Sequence, residues 1–264
     1  MKPLKFESLS AKYGSGFDEG TPLAGQTISN LSKTLEKDWR EDYPVMIKEA
    51  FLSVVQLYFD ALLGEREITP DQEGVLKDLY GAGKQIVGSF YRGEGLNTGA
   101  IDKLVLPNSD ILVGSIPENI EPKRRHCFKY GKNVHKFGLN LPYFVIANGE
   151  PDSLVAVATG AFEPAFLAMD ILEQDDLLAL RYSRAARTDK FIRFAENGDN
   201  NYPGNHLRHK KVLTIEDVVA TGSSVEGVMK FIDQFNPKQH IGCAVKAHDN
   251  ESTIPKRVYT LGNI

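Results

Sequence analysis

"KKVLTIEDVVATGSSVEGVM", residues 210–229, is the stretch that decides how the chain is read. Its apolar run ends in two adjacent acids, Glu216 and Asp217, passes through the small residues Thr221, Gly222, Ser223 and Ser224, and enters a segment of helical character. A strand, a tight turn and a helix make half of a βαβ unit. In an open parallel sheet the carboxyl ends of the strands are where ligands bind. A helix N-terminus offers unpaired N–H groups and a partial positive charge. Small residues let an anion approach the backbone, and the hydroxyls of Thr221, Ser223 and Ser224 add donors.

The acids suit the hydroxyls of a sugar, or a metal near them, and the cradle suits a phosphate a few ångströms away, so a sugar phosphate satisfies both. The flanking sequence extends the α/β pattern. "SLVAVAT" (153–159) and "LLALRYS" (177–183) read as buried strands, with "EPAFLAMDILEQ" (163–174) as the helix between them. After the quoted stretch, "SSVEGVMKFIDQF" reads as a helix and "HIGCAVKAHD" as a strand. Alternating strands and helices imply a parallel sheet covered on both faces, with right-handed crossovers. Between the second strand and "KVLTIED" runs a long polar connection, 184–210, and a structureless connection of that length is functional or disordered.

Towards the N-terminus the texture is different. Residues 1–26 read as loop. In "EDYPVMIKEAFLSVVQLYFDALLG" the residues Ile47, Phe51, Val54, Tyr58 and Leu62 recur at helical spacing, with Pro44 suited to the first turn and Gly64 to a stop. A second helix begins at Thr69 as N-cap with Pro70 at its first position and Glu73 near the place for a capping box. Gly81 and Gly83 are expected to weaken or break it. "KLVLP", "DILVGS" and "YFVIAN" are short β-like runs bounded by Pro, Asn, Asp and Gly. The expected organisation is a helical region over 1–100 and an α/β domain over 101–264, with a hood at about 101–150.

Composition narrows the function classes. In 264 residues, 42% are hydrophobic and 25% charged, the mix of an ordinary soluble globular protein. A net charge of −4 does not suit a protein built to coat nucleic acid. The two cysteines, Cys127 and Cys243, are far apart and argue against a disulfide framework. No signal-peptide core and no membrane-length apolar run is present, so the expected location is the cytoplasm.

"VLTIEDVVATGSSV" resembles the phosphoribosyl-diphosphate signature of type I phosphoribosyltransferases: an apolar strand, two acids, two apolar residues, then a small-Thr-Gly-x-Ser/Thr turn. Thr214 stands where the family usually has an apolar residue. The resemblance covers about residues 140–250 and implies an α/β, parallel-sheet type I phosphoribosyltransferase core with a helical N-terminal extension. It implies that Glu216 and Asp217 hold the ribose hydroxyls, and that Val219, Ala220, Thr221, Gly222, Ser223 and Ser224 wrap the 5′-phosphate. It places Thr159, Gly160, Ala161 and Phe162 as the pyrophosphate loop, with Thr159 where many members carry Lys or Arg. Residues 184–210 match the family's mobile lid, with Arg184, Arg187, Lys190 and Arg193 as cations for pyrophosphate. Lys246 sits where some purine-using relatives carry a lysine at the strand end. The activity implied is Mg²⁺-dependent transfer of phosphoribose from phosphoribosyl diphosphate to a nitrogenous base or related nucleophile, by a homodimer.

Plainer readings stand beside these. The acids and turn could be a solvated pair and an ordinary helix cap, Thr159–Phe162 a plain βα turn, and the lid a disordered insertion. The basic segment "EPKRRHCFKYGKNVHKFG" (121–138) could be a nucleic-acid face, a hairpin beside an anionic substrate, or a solvated surface. His126, Cys127 and His135 lack the spacing of a metal site and read as structural. The alternative functions are a non-catalytic sensor of phosphoribosyl diphosphate or a nucleotide, and an RNA-binding module.

Overall fold

The computed structural model describes residues 27–36, 43–63, 68–116, 131–158, 160–182, 192–194, 202–219, 222–247 and 255–262. The chain divides into two compact units, 2–132 and 133–264.

In the N-terminal unit, α1 (Ile28–Leu35) is capped by Thr27, whose hydroxyl accepts from the Asn30 N–H at 3.3 Å. α2 (Pro44–Leu62) starts at Pro44 as the sequence implies and is buried along nearly its whole length. Among its buried residues, Lys48 and Glu49 form an ion pair at 2.9 Å, and the Lys48 ammonium lies 4.9 Å from the centre of the Phe90 ring. A paired charge over an aromatic face offsets part of the desolvation that burial costs.

α3 (Pro70–Tyr91) is nucleated by a capping box formed by Thr69 and Gln72, not Glu73. Gln72 is the third helical residue, so its Oε1 reaches the Thr69 N–H at 2.9 Å while its own N–H donates to Thr69 Oγ1. Glu73, one position later, pairs with Lys77 instead. Gly81 and Gly83 do not break α3. Each glycine costs about 1 kcal/mol, and burial of Leu76, Leu79, Ile86, Val87 and Phe90 outweighs that. The Tyr58 hydroxyl donates to the Gln72 carbonyl at 3.0 Å, and its burial pushes the phenol up to about 12.

The three β-like runs are helical. "KLVLP" lies in a π-helical and 3-10 segment (Ile101–Val105, Leu106–Asn108), and "DILVGS" in α4 (Ser109–Ser115). "YFVIAN" closes α5 (Gly131–Asn148). Short apolar runs do not by themselves separate a strand from a buried helix segment. In α5 the buried positions Val134, Phe137, Leu141, Phe144 and Val145 recur at helical spacing, and Tyr143 and Ile146 are exposed. Residues 101–116 fall inside the N-terminal unit.

The C-terminal unit is built on one sheet. Its described strands are β1 (Ser153–Ala158), β2 (Leu178–Tyr182), β3 (Ile192–Phe194), β4 (Lys211–Val219), β5 (Gln239–Ala247) and β6 (Val258–Thr260). Their order is β3-β2-β1-β4-β5-β6, parallel throughout except for the antiparallel β2–β3 pair. Helix α6 (Phe162–Ile171) connects β1 to β2, α7 (Tyr202–Leu207) precedes β4, and α8 (Ser223–Asp233) connects β4 to β5. The connection 184–210, expected to be structureless, therefore contains β3 and α7. From β1 the chain steps one way along the sheet, and from β4 it steps the other way. With right-handed crossovers, α6 and α8 cover opposite faces, and the crevice between the ends of β1 and β4 is a topological switch point.

α8 buries Val225, Val228, Met229 and Ile232. Val228 and Ile232 pack with Val155, Val157, Leu178, Leu180 and Val212 of β1, β2 and β4. Beneath this helix lies a chain of polar groups. Thr214 Oγ1 is 2.8 Å from His240 Nε2, and His240 Nδ1 is 2.8 Å from Asp233 Oδ1. Arg257 donates to both oxygens of the same carboxylate, at 3.3 and 2.6 Å. A carboxylate only accepts, so His240 carries its proton on Nδ1 and the Thr214 hydroxyl donates to Nε2. Burial raises the Asp233 pKa, but the bonds from Arg257 and His240 outweigh it and hold it below the ordinary value. Burial lowers the His240 pKa below 6.5 against the opposing pull of Asp233.

His135 on α5 is lowered by burial in the same direction. The unfolded chain thus takes up a proton at His240 and His135 at a higher pH than the folded one. Stability present above about pH 6.5 is lost as pH falls through the folded values. Thermal melts between about pH 7.5 and 5.5 are expected to show a midpoint that drops with pH, and His240→Gln is expected to flatten that slope.

Candidate functional site

β4 does not end at the acids. It continues through Val218 and Val219, which pair with Lys246 and Ala247 of β5. Side chains alternate along a strand, so Thr214 and Glu216 share the face covered by α8, and Asp217 projects from the other. Glu216 is 6% exposed, and its Oε1 accepts the Asp217 N–H at 3.1 Å. Asp217 Oδ1 accepts the Val218 N–H at 2.7 Å. These local bonds hold each carboxylate in one orientation.

The Asp217 carboxylate lies directly over Gly160, in the turn between β1 and α6. A Cβ built on Gly160 would overlap the carboxylate, so any larger residue here requires the Asp217 side chain or the turn to shift. The fold therefore joins two motifs that are distant in sequence, the acidic pair and the turn after "VAVAT". Thr159 lies outside the described residues. Ala161 and Phe162 are buried, and Phe162 stacks on Phe166 in the core with ring centres 5.8 Å apart. Of those two residues, only the backbone is suited to meet a ligand. Glu163, read in the sequence only as the acid that opens a helix, lies in the first turn of α6 and is 1% exposed.

Beyond β4, Gly222 caps α8 in the left-handed region with φ 74°. A side chain there would be strained, whereas glycine adopts the turn freely. Its carbonyl accepts the Glu226 N–H at 2.9 Å and starts the helix. Ser223 is exposed and Ser224 half-buried, both in the first turn where N–H groups lack helical partners. Ala220 and Thr221 lie outside the described residues. Val219 is the last strand residue, and its side chain packs with Val225 and Met229 of α8 and with Ala244 and Val258, so the alternation that separates Glu216 from Asp217 does not extend to the strand's last residue.

Lys246 is half-buried, on β5 opposite Val218 and one alternation beyond the Glu216–Ala244 pair. Arg184, Arg187 and Lys190 lie outside the described residues, and Arg193 is in β3. Of the metal candidates, His126 and Cys127 lie outside them too. Among the described residues no three or more His, Cys, Asp or Glu are grouped so as to hold a metal. Cys243 is a free, buried thiol whose pKa is raised by that burial. No described helix is long and apolar enough to cross a membrane.

Residues 141–262 match the family model for the phosphoribosyl transferase domain. The C-terminal unit carries a phosphoribosyl transferase domain. Its parallel sheet with helices on both faces is the type I phosphoribosyltransferase fold. Solved structures similar to it include a purine phosphoribosyltransferase from Pyrococcus horikoshii Ot3. That one is 22% identical, with a TM-score of 0.39, over 48% of this chain and 80% of that one. Another is a Neisseria gonorrhoeae protein with bound ppGpp, at 19% identity and TM-score 0.37, over 50% and 78%. A third is a Helicobacter pylori xanthine-guanine-hypoxanthine phosphoribosyltransferase, at 16% identity and TM-score 0.37, over 50% and 81%. No curated protein sequence matches the chain.

The contact between Gly160 and Asp217 in this phosphoribosyl transferase domain can be measured without a ligand. Gly160→Ala overpacks the turn and is expected to cost about 1–3 kcal/mol in urea unfolding. Adding Asp217→Ala removes the carboxylate it would strike, so the double-mutant cycle is expected to return a coupling energy of about 1 kcal/mol or more. Simple additivity of the two variants would place the carboxylate elsewhere.

Proposed function

We propose that the C-terminal unit binds phosphoribosyl diphosphate and transfers its phosphoribosyl group to a nitrogenous nucleophile, releasing pyrophosphate. The observation that carries this reading is the Asp217 carboxylate seated over Gly160 at the switch point between β1 and β4, with the Gly222 cap of α8 next along the chain. In the reaction the nucleophile's nitrogen forms a bond to C1 of the ribose. The bond from C1 to the pyrophosphate oxygen breaks, its electron pair leaves with pyrophosphate, and the nitrogen's proton passes to solvent or to a base.

Each element has a part in this scheme. Glu216 and Asp217 accept from the ribose hydroxyls and stabilise positive charge growing on the sugar ring. Val219 to Ser224 wrap the 5′-phosphate, with Val219 contributing backbone alone, and the first-turn amides of α8 supply donors. Thr159 to Phe162 offer backbone N–H groups to pyrophosphate. Arg184, Arg187 and Lys190 close over it and exclude water. Lys246 and residues of α5 flank the nucleophile. The donor set suits Mg²⁺ in one way: such an ion keeps several waters and takes one or two carboxylates plus substrate phosphates, and Asp217 is the residue that would hold it. When bound it neutralises diphosphate charge. A cytoplasmic homodimer is the assembly we expect.

One observation favours a second reading, a sensor that binds without turnover. The turn after β1 has Thr159 where many relatives have a cation, and the next two side chains are committed to the core. An assay of pyrophosphate release over a panel of bases, with and without Mg²⁺, separates the two. The enzyme reading expects release with at least one base and a loss of about 100-fold or more in kcat/KM for Asp217→Asn, with an unchanged melting temperature. Stabilisation of the protein by phosphoribosyl diphosphate without release would establish the sensor. Neither stabilisation nor release would refute both.

A further inference from the structure

The Thr214–His240–Asp233–Arg257 chain lies outside the site described above. Hydroxyl to imidazole to carboxylate, at 2.8 Å for each link, is the connectivity of a nucleophile, its base and an orienting acid. Here it does not make a nucleophile. Thr214 is 0% exposed and His240 5%, with α8 packed over the strands, so nothing can reach Oγ1.

Its placement suggests a different use. Asp233 is the last residue of α8, and Gly222 to Ser224 are at the first turn of the same eleven-residue helix, about 16 Å away. Thr214 is two residues before Glu216, on the same face of the same strand. His240 belongs to the next strand, and Arg257 to the turn entering β6, where its carbonyl accepts the Gly242 N–H at 2.8 Å. One chain of hydrogen bonds therefore joins the far end of α8 to the strand that carries the acids. Apolar contacts hold the middle of the helix to the sheet, but they are non-directional and permit small slides and rotations. Directional bonds at the helix end do not.

We propose that Thr214, His240, Asp233 and Arg257 are positioning residues, a strut that fixes the axis of α8 and so keeps its N-terminal turn in register with Glu216 and Asp217. This rests on the ribose-phosphate reading of the site for its functional meaning, but the mechanical part stands alone. It also accounts for the threonine at position 214: the hydroxyl is there because the neighbouring strand brings an imidazole to meet it. A misplacement of about 1 Å at such a site can cost on the order of 100-fold in rate, which is what a strut of this kind prevents.

The test uses the full chain and two readouts. Amide hydrogen exchange on the ligand-free protein follows the Glu226 N–H, which donates to the Gly222 carbonyl at the opposite end of α8 from the strut. Binding of phosphoribosyl diphosphate is followed by calorimetry. Thr214→Val keeps the shape and removes the hydroxyl, and it is expected to speed exchange at Glu226 and weaken binding, each by about fivefold to tenfold, the worth of one buried hydrogen bond. Thr214→Ser restores both. Arg257→Gln, at the solvent edge of the chain, is expected to act in the same direction if Thr214→Val does not fold. A lower melting temperature with Glu226 protection unchanged would overturn the strut. If wild type does not bind phosphoribosyl diphosphate while exchange responds as expected, the strut holds and the ligand assignment fails.

Discussion

The site of the C-terminal unit depends on one topological constraint: β1 and β4 lie side by side while their chains leave in opposite directions along the sheet. Right-handed crossovers then force α6 and α8 onto opposite faces and leave a crevice at the strand ends that no crossover fills. Into that crevice β4 delivers Asp217 and β1 delivers Gly160. The absence of a side chain at residue 160 gives the carboxylate its position. A larger residue there would collide with the acid where it stands, so the glycine takes part in placing the aspartate.

Both units bury charged or polar side chains, and in each the physical account is similar. Lys48 and Glu49 neutralise each other beneath the Phe90 ring. Thr214, His240 and Asp233 satisfy one another beneath α8, with Arg257 completing the chain from the outside. Such groups contribute little net stability compared with apolar residues of similar volume, yet removing one member of a pair is costly because the other is left unsatisfied. What they add is direction. A helix that rests only on apolar contacts has several nearly equal seats, whereas a hydrogen-bonded one has fewer.

β1, β2, β4 and β5 of the phosphoribosyl transferase domain were legible because each carries a short apolar run bounded by turn residues, and because strand and helix alternate. The acidic pair and the turn at Gly222 were legible as a local pattern. Other features carried no local signal. "YFVIAN" is rich in β-formers, but its neighbours on α5 complete a helical stripe, and burial at helical spacing outweighed strand propensity. Gly81 and Gly83 weaken a helix in isolation, and α3 tolerates them because both sides of the pair are buried. β3 and β6 are short edge strands of three residues each, with too little pattern for either to be read in advance.

Sequence alone determined the class of the sheet, the place of the acids on a strand next to a glycine turn that opens a helix, and the helical character of the chain before residue 100. Each of these follows from residues close together along the chain: side-chain alternation, caps, and the conformational freedom of glycine. Only the tertiary structure decided that Asp217 meets Gly160, that β4 runs on past the acids by pairing Val218 and Val219 with β5, and that Thr214 has an imidazole waiting on the next strand. Those pairings depend on strand order and register, which are set by how whole elements pack and not by any one stretch of residues.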